Sequence, residues 1–135
     1  MSDALLDSIL STLLPGDADW PSAGSLDLSA AVRADCEAAA LAAILGALPP
    51  DFAAGDADAR ESALRAIEAA QPAAFERLVA AAYLAYYTEP RVRIVVERLT
   101  GYAARPPQPL GYALEPFDEA LLATQKRRAP FWRRA

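Results

Sequence analysis

The side chains that most often carry out chemistry are scarce in this sequence. There is no histidine and a single cysteine, Cys36, so the commonest general base and the commonest nitrogen ligand for metals are missing. One thiol can form neither an internal disulfide nor a cysteine-rich zinc site. The acidic neighbours Asp35 and Glu37 would raise the pKa of this thiol. We therefore expect Cys36 to be a small residue of a helical core.

Carboxylates, glycines and serines are the remaining candidates for chemistry. Five aspartates fall in expected loops: Asp17, Asp19, Asp51, Asp56 and Asp58. Their spacing is not that of a calcium-binding loop, and short loops of this kind usually cap helices. The six glycines are too scattered for a phosphate-binding loop, and Ser8, Ser11 and Ser62 have no base to activate them. We predict no catalytic, cofactor-binding or metal-binding residues, and hence a chain that is not an enzyme.

A cluster of tyrosines, Tyr83, Tyr86 and Tyr87, offers binding chemistry instead. A tyrosine ring is apolar and ends in a polar hydroxyl, so the cluster is suited to a pocket or to a contact with a partner. The alternative is that Tyr83 and Tyr86 belong to the core and that Tyr87 is half exposed. We keep both interpretations and count the three residues among the candidate partner-binding residues.

The composition indicates one soluble domain with an unevenly distributed charge. The chain has 135 residues, 54% of them hydrophobic, with a mean hydropathy of +0.11, which suffices for a core. Abundant alanine and the excess of arginine over lysine are typical of a GC-rich bacterial genome. The net charge is −5; residues 1–59 contain ten acidic residues and one arginine, whereas basic residues predominate in 60–135. The acidic half argues against nucleic-acid binding.

Targeting signals are not recognisable. The leucine-rich face near the N-terminus is not preceded by a basic segment, and no apolar run reaches the ~18–20 residues that a membrane span needs. We expect a cytoplasmic protein with no membrane span.

Hydrophobic periodicity predicts an all-α fold, a small bundle of about five helices in residues 1–100. The predicted helices cover 3–14, 28–48, a shorter stretch opened by Asp58, 72–87, and a stretch beginning at Pro90. Residues 15–27 are predicted to be a loop in which Trp20 is the anchor. The wide apolar face of 28–48 predicts a central, largely buried helix.

Capping residues locate the predicted helix ends. Asp27 could cap the helix at 28–48, and Asp58-Ala-Arg-Glu61 has the pattern of a capping box. Pro72 suits the first turn of a helix. This helix has the cleanest periodicity, with an apolar face formed by Phe75, Leu78, Val79, Ala82, Tyr83 and Tyr86.

Residues 91–96 fit two patterns. Val92, Ile94 and Val96 alternate as in a strand, whereas Val92, Val95, Val96 and Leu99 form one helical face. We favour a helix, because Thr88 could cap it, Pro90 suits its first turn, and a lone strand would have nothing to pair with.

Residues 101–135 are predicted to form an extended C-terminal arm. Arg105-Pro106-Pro107-Gln108-Pro109-Leu110-Gly111-Tyr112 is expected near polyproline II, residues 117–125 as a short helix, and the last ten residues as a basic strip that includes Phe131 and Trp132. The arm could pack on its own domain, enter an SH3-like groove or wrap a partner. The strip could meet acidic lipid, nucleic acid, or the acidic half of its own or a neighbouring chain. The candidate partner-binding residues here are Arg105, Pro106, Pro107, Pro109, Tyr112, Phe131 and Trp132.

From about Phe75 onward, the chain carries an ordered set of features. These are an aromatic-bearing helix ending in Tyr86-Tyr87, then Glu89-Pro90 and a further helix, Gly101, the Arg105–Tyr112 segment, an aspartate-containing turn and an arginine-rich end. A leucine-rich helix that runs into Leu14-Pro15 precedes them. This order resembles the gluconate 2-dehydrogenase subunit 3 family.

The resemblance implies a small non-catalytic subunit without a cofactor of its own. Its partner would be a larger flavin-dependent oxidoreductase of the glucose-methanol-choline type, which holds FAD. Family members typically carry an export signal, which this sequence does not show. We therefore expect an accessory subunit or assembly factor of such an oxidoreductase, or alternatively a self-associating helical interaction protein, a possible homo-oligomer.

Overall fold

The structure, a computed structural model, describes residues 3–103 and 116–127. The chain divides into two units, Met1–Ala104 and Arg105–Ala135. The helices of the first unit are α1 Asp3–Leu13, α2 Ser29–Asp35, α3 Ala38–Ala47, α4 Ala57–Ala70, α5 Pro72–Thr88 and α6 Pro90–Thr100, with 3-10 turns at Ala23–Ser25 and Phe52–Ala54. No strand occurs in the described residues. The all-α prediction is confirmed, with six helices in this unit instead of about five.

Helix α5 is the centre of the first unit. It packs against α2, α3, α4 and α6, while α1 packs against α2, α4 and both 3-10 turns. The buried residues of α5 are Phe75, Leu78, Ala81, Ala82, Ala85 and Tyr86. The alanines among them let neighbouring helices approach closely, because the distance between packed helices depends on the side chains at the contact.

The single central helix predicted for residues 28–48 is wrong. The backbone turns extended at Cys36 and Glu37, where ψ is 134° and 126°, so α2 and α3 are separate helices. A continuous helix of that length would be about 30 Å long and straight, whereas two short helices can each lie against α5. Val32 of α2 and Ile44 of α3 both reach the core fully buried.

Cys36 lies in this break and not inside a helix. It is buried, as expected, and burial raises the pKa of the Cys36 thiol, while the nearby Arg77 opposes the shift. The pKa is raised, as the sequence predicts, but the main cause is desolvation of the thiol and not the acidic neighbours Asp35 and Glu37. Arg77 also forms an ion pair with Glu37.

Three predicted caps are wrong. Asp27 has a left-handed backbone, with φ at 53°, and Leu28 occupies the position before α2. The position before α6 belongs to Glu89, whereas the Thr88 hydroxyl donates to the carbonyl of Leu84, 2.7 Å away. The Pro72 and Pro90 predictions are confirmed, because both prolines occupy the first turn of their helices, and residues 91–96 are helical.

The third wrong cap is Asp58. Helix α4 begins one residue earlier than Asp58, and Asp56 caps it by accepting a hydrogen bond from the N–H of Ala59 at 2.8 Å. Glu61 does not reach back to close a capping box, and instead pairs with Arg65, one helical turn later. Only Asp58 stands three residues before a glutamate, as the capping box requires, but Asp56 is the residue with the extended backbone of a cap.

The Asp56 cap predicts a measurable difference between two neighbouring aspartates. We expect Asp56→Ala to lower the free energy of unfolding by about 1 kcal/mol, because the N–H of Ala59 loses its acceptor. Asp58→Ala, the matched control, should cost only a few tenths of a kcal/mol through the helix dipole. Urea unfolding followed by circular dichroism measures both, and equal losses would contradict the assignment of the cap.

The second unit is described at residues 116–127. Asp118 accepts a hydrogen bond from the N–H of Ala120 at 2.8 Å and caps the 3-10 turn Glu119–Leu122, which leads into helix α7, Ala123–Lys126. The short helix predicted for 117–125 is confirmed in part, because the helical residues are 119–126 and their first half is a 3-10 turn. In the stretches of the chain that can be described, no helix is both long and apolar enough to cross a membrane.

Candidate functional site

The loop after α1 holds Trp20 in a defined position. Gly16 has φ at 77°, a left-handed conformation that a β-carbon disfavours. The carboxylate of Asp17 accepts hydrogen bonds from the N–H groups of Asp19 and Trp20, at 2.8 and 2.9 Å. The N–H of Asp17 donates to the carbonyl of Trp20 at 2.9 Å. These bonds close the loop and fix the backbone from which the indole projects.

Asp17 remains ionised at neutral pH. The hydrogen bonds from the N–H groups of Trp20 and Asp19 lower the pKa of its carboxyl, because both stabilise the charged form. Both donors are neutral, so they hold the carboxylate in place without cancelling its charge.

Four rings meet where this loop lies beside the last two turns of α5, and we call them the aromatic cluster: Trp20, Tyr83, Tyr86 and Tyr87. Tyr87 is its centre. Its ring centroid lies 6.5 Å from that of Trp20, 6.2 Å from that of Tyr83 and 5.3 Å from that of Tyr86. The planes of Tyr87 and Trp20 meet at 78° and those of Tyr87 and Tyr86 at 87°. Edge-to-face pairs of this kind are favourable arrangements of aromatic rings.

The three tyrosines of the cluster differ in exposure. Tyr86 is 3% exposed and belongs to the core, whereas Tyr83 and Tyr87 are 48% and 51% exposed. The alternative that placed Tyr83 in the core is therefore wrong, while its placement of Tyr86 and Tyr87 is confirmed. Tyr86 is also fixed by its hydroxyl, which donates to the carbonyl of Pro21 at 2.8 Å.

An open cleft of about 310 Å³ lies beside the aromatic cluster. Its lining residues are Leu13, Leu14, Pro15, Gly16, Asp17, Trp20, Tyr86 and Tyr87. The cleft thus combines apolar side chains, three aromatic rings and one carboxylate. A volume of this size lies at the lower end of the range for binding pockets.

Helix α6 also contacts the segment that follows α1. Arg98 pairs with Asp19 at 2.7 Å, and Arg91 donates to the carbonyl of Leu26 at 3.1 Å. Arg91 also pairs with Glu89 at 2.6 Å, and its hydrogen bond lowers the pKa of that carboxyl. These contacts hold the start and the end of α6 against the segment that follows α1.

Large apolar side chains are exposed in one stretch of the first unit, and we call them the apolar surface. They are Tyr83, Leu84, Tyr87, Ile94, Leu99 and Tyr102. Among the described residues 3–103, every large hydrophobic side chain that is clearly exposed lies between 83 and 102. Within this set the rings of Tyr83 and Tyr87 lie next to each other, with centroids 6.2 Å apart, and exposed apolar groups that lie together mark sites of interaction more often than scattered ones do.

Along one stripe of the outer face of helix α5, polar and small side chains are followed by aromatic ones. Glu76, Ala80, Tyr83 and Tyr87 follow one another at spacings of three and four residues, and all four are exposed. The solvent side of an amphipathic helix is normally polar or small, as it is at Glu76 and Ala80. The last two turns replace that character with two aromatic rings.

The structure brings together only some of the predicted partner-binding residues. Tyr83, Tyr86 and Tyr87 are adjacent, whereas the remaining candidates lie outside the described residues: Arg105, Pro106, Pro107, Pro109, Tyr112, Phe131 and Trp132. Sequence reasoning missed Leu84, Ile94, Leu99 and Tyr102 as surface residues. Leu84 and Ile94 could have been found as apolar residues that fall off the buried faces of α5 and α6. Leu99 lies on the apolar face predicted for α6 and is nevertheless exposed, and Tyr102 follows the end of that helix.

The sequence predicts Trp20 only as the anchor of its loop, and Asp17 only as one of the loop aspartates. Their place beside the cleft follows from the fold of the loop. No group of three His, Cys, Asp or Glu side chains suited to a metal ion occurs in the portion of the chain that the structure describes. No protein-family model, curated protein or solved structure matches this chain.

Proposed function

We propose that this chain is a non-catalytic binding subunit that docks a larger protein on the apolar surface. The observation that carries the proposal is the exposure of Tyr83, Leu84 and Tyr87 on the last two turns of α5, where a solvent-facing helix would normally be polar. We propose further that the partner is a flavin-dependent oxidoreductase of the glucose-methanol-choline type, which carries the FAD. The order of features from Phe75 onward supports this identity for the partner.

The types of the exposed residues suit a protein contact. Tyrosine and tryptophan are enriched among the residues that contribute most to binding, because a large ring is buried with little loss of rotamer freedom. Tyr83, Tyr87 and the half-buried Trp20 are available in this way. Isolated surface leucines need no explanation, but rings that contact one another at the end of a helix form a continuous apolar area.

The surface is also held in position before any partner binds. Tyr86 is buried beneath it and bonded to the carbonyl of Pro21, and Arg98 ties α6 to the loop through Asp19. A surface that is already ordered loses less conformational entropy on association. This favours a stable subunit contact over a transient one.

The proposal is tested by co-purification from the native host with an affinity-tagged full chain. Tyr83→Glu introduces a charge into the apolar surface and should reduce the recovered flavoprotein at least about tenfold. Ala80→Glu is the matched control, because it adds the same side chain to the same stripe one turn earlier, outside the surface. Bound flavin is measured by absorbance and the partner is identified by mass spectrometry.

Two results would contradict the proposal. Recovery of the chain alone, as a monomer without a flavoprotein, would remove the assignment of the partner. Equal losses in Tyr83→Glu and Ala80→Glu would show that the contact lies elsewhere, since only one of the two changes touches the apolar surface.

A second candidate is self-association, which the uneven charge of the chain supports. Residues 1–59 are strongly acidic and the last ten residues are basic, so chains could pair through opposite charges. Light scattering should then give a dimer or larger assembly at low salt and a smaller mass at high salt, because screening weakens such contacts. A monomer at both salt concentrations would exclude this candidate.

A further inference from the structure

We propose that the cleft beside the aromatic cluster binds an extended segment of the partner in which proline stands next to arginine. This inference rests on the proposed function, because it names the chemistry of the partner segment that enters the same region. Three properties of the cleft carry it: its ring walls, its single carboxylate and its shape.

The walls of the cleft are suited to proline. Tyr87 stands nearly perpendicular to both Trp20 and Tyr86, so ring surfaces border the cleft in two orientations. Aromatic-lined grooves with ring surfaces of this kind are the usual docking sites for polyproline II segments. The remaining lining is mainly apolar and includes Leu13, Leu14 and Pro15.

The carboxylate selects the charge of the occupant. Asp17 lines the cleft, and its hydrogen bonds come from the neutral N–H groups of Asp19 and Trp20. A guanidinium entering here would pair with Asp17 and stack on a ring face at the same time. An acidic segment would instead meet an uncompensated like charge.

The shape of the cleft favours an extended chain over a helix. Its border is one loop and the end of α5, and its volume is about 310 Å³. A helix with side chains is about 10 Å across and needs a longer groove, and the described residues offer no strand edge to which a strand could add. A polyproline II segment needs no backbone partner and is already extended, so it loses little entropy on binding.

The test is a titration of the full chain with three short peptides. The first is proline-rich with flanking arginines, the second has glutamate in place of each arginine, and the third has alanine in place of each proline. The fluorescence of Trp20 reports binding, in a background of Trp132→Phe, which leaves one tryptophan. The same background carries Arg105→Glu, so that the arginine–proline sequence of the chain itself does not compete as a ligand.

We expect saturable binding of the first peptide and weaker binding of the other two. The glutamate peptide should bind about two- to fivefold more weakly, because Asp17 is exposed and an exposed ion pair contributes about 1 kcal/mol or less. Asp17→Asn should weaken the first peptide by a similar factor, because the amide oxygen can still accept the loop hydrogen bonds but carries no charge. Tyr87→Ala should weaken it about tenfold. Glu76→Gln is the matched control, an exposed carboxylate of α5 that lies outside both the cleft and the apolar surface, and should leave binding unchanged.

The outcomes separate this inference from the proposed function. Absence of saturable binding, or equal affinity for all three peptides, overturns the inference. The proposed function would still stand if the flavoprotein co-purifies with the unaltered chain and is lost in Tyr83→Glu. Binding that is selective for the arginine peptide and weakened in Asp17→Asn supports the inference, even if no flavoprotein co-purifies.

Discussion

Tyr86→Ala should lower the free energy of unfolding by about 3–5 kcal/mol, as truncation of a large buried aromatic side chain does. The ring is 3% exposed and lies in the main core cluster, on the face of α5 that other helices cover. The loss has a second source, because the hydroxyl that donates to the carbonyl of Pro21 disappears as well. Urea unfolding followed by circular dichroism measures the loss.

Tyr86→Phe separates the ring from its hydroxyl. It keeps the packing and leaves the carbonyl of Pro21 without its partner, so we expect a loss of about 1 kcal/mol. If Tyr86→Ala and Tyr86→Phe cost the same, the ring would not be a core element. If Tyr86→Phe costs nothing, the bond to Pro21 would not contribute to holding the loop.

The Tyr86 hydroxyl also makes the stability of the folded chain depend on pH in the alkaline range. Burial, followed by the neighbouring Tyr87 and Asp17, raises the pKa of Tyr86 above its ordinary value. The folded state therefore keeps the proton longer than the unfolded state does, and the resulting stability is fully present below about pH 10. This contribution to stability is lost as the pH rises through the raised pKa of Tyr86. Tyr86→Phe should show a smaller loss over the same pH range.

Gly24→Ala should lower the free energy of unfolding by about 2–3 kcal/mol or more. A β-carbon at Gly24 would lie 1.9 Å from the hydroxyl oxygen of Ser11 and 2.4 Å from the carbonyl oxygen of Asp7. The Ser11 side chain can rotate away, but the carbonyl belongs to the backbone of α1. The turn Ala23–Ser25 would have to separate from the helix against which it packs.

Gly46→Ala is the matched control for this substitution. Gly46 lies in α3, and a β-carbon there meets nothing within 4 Å. Alanine is the better helix former, so we expect a gain of up to about 1 kcal/mol. Opposite signs for the two glycines, measured by thermal or urea unfolding, would confirm that Gly24 is required by close packing; a stable Gly24→Ala variant would show that the turn can move.

Some of the fold could be predicted from local signals. Pro72 and Pro90 locate the starts of α5 and α6 because proline restricts φ and lacks the N–H that the first turn leaves unpaired. Phe75, Leu78 and Ala82 were correctly placed on the buried face of α5, since a 3.6-residue period determines which residues share a side.

Other features depended on contacts distant in the sequence. The break at Cys36 and Glu37 allows α2 and α3 to lie separately against α5, and no proline or glycine marks it. The choice of Asp56 over Asp58 depended on which backbone is extended. Tyr83 is adjacent in sequence to the buried Ala82, so periodicity alone could not tell which edge of the apolar face the neighbouring helices would cover.

The sequence by itself determined the scarcity of catalytic side chains and the all-α class, because both follow from composition and periodicity. It also located the tyrosine cluster on a helix. Only the tertiary structure decided that Tyr86 is buried while Tyr83 and Tyr87 are exposed, and that Asp17 and Trp20 complete a cleft beside them. The physical reason is that burial depends on what packs against a helix face. Here the loop after α1 packs at the end of α5, although the two contacting residues are 65 positions apart in the sequence.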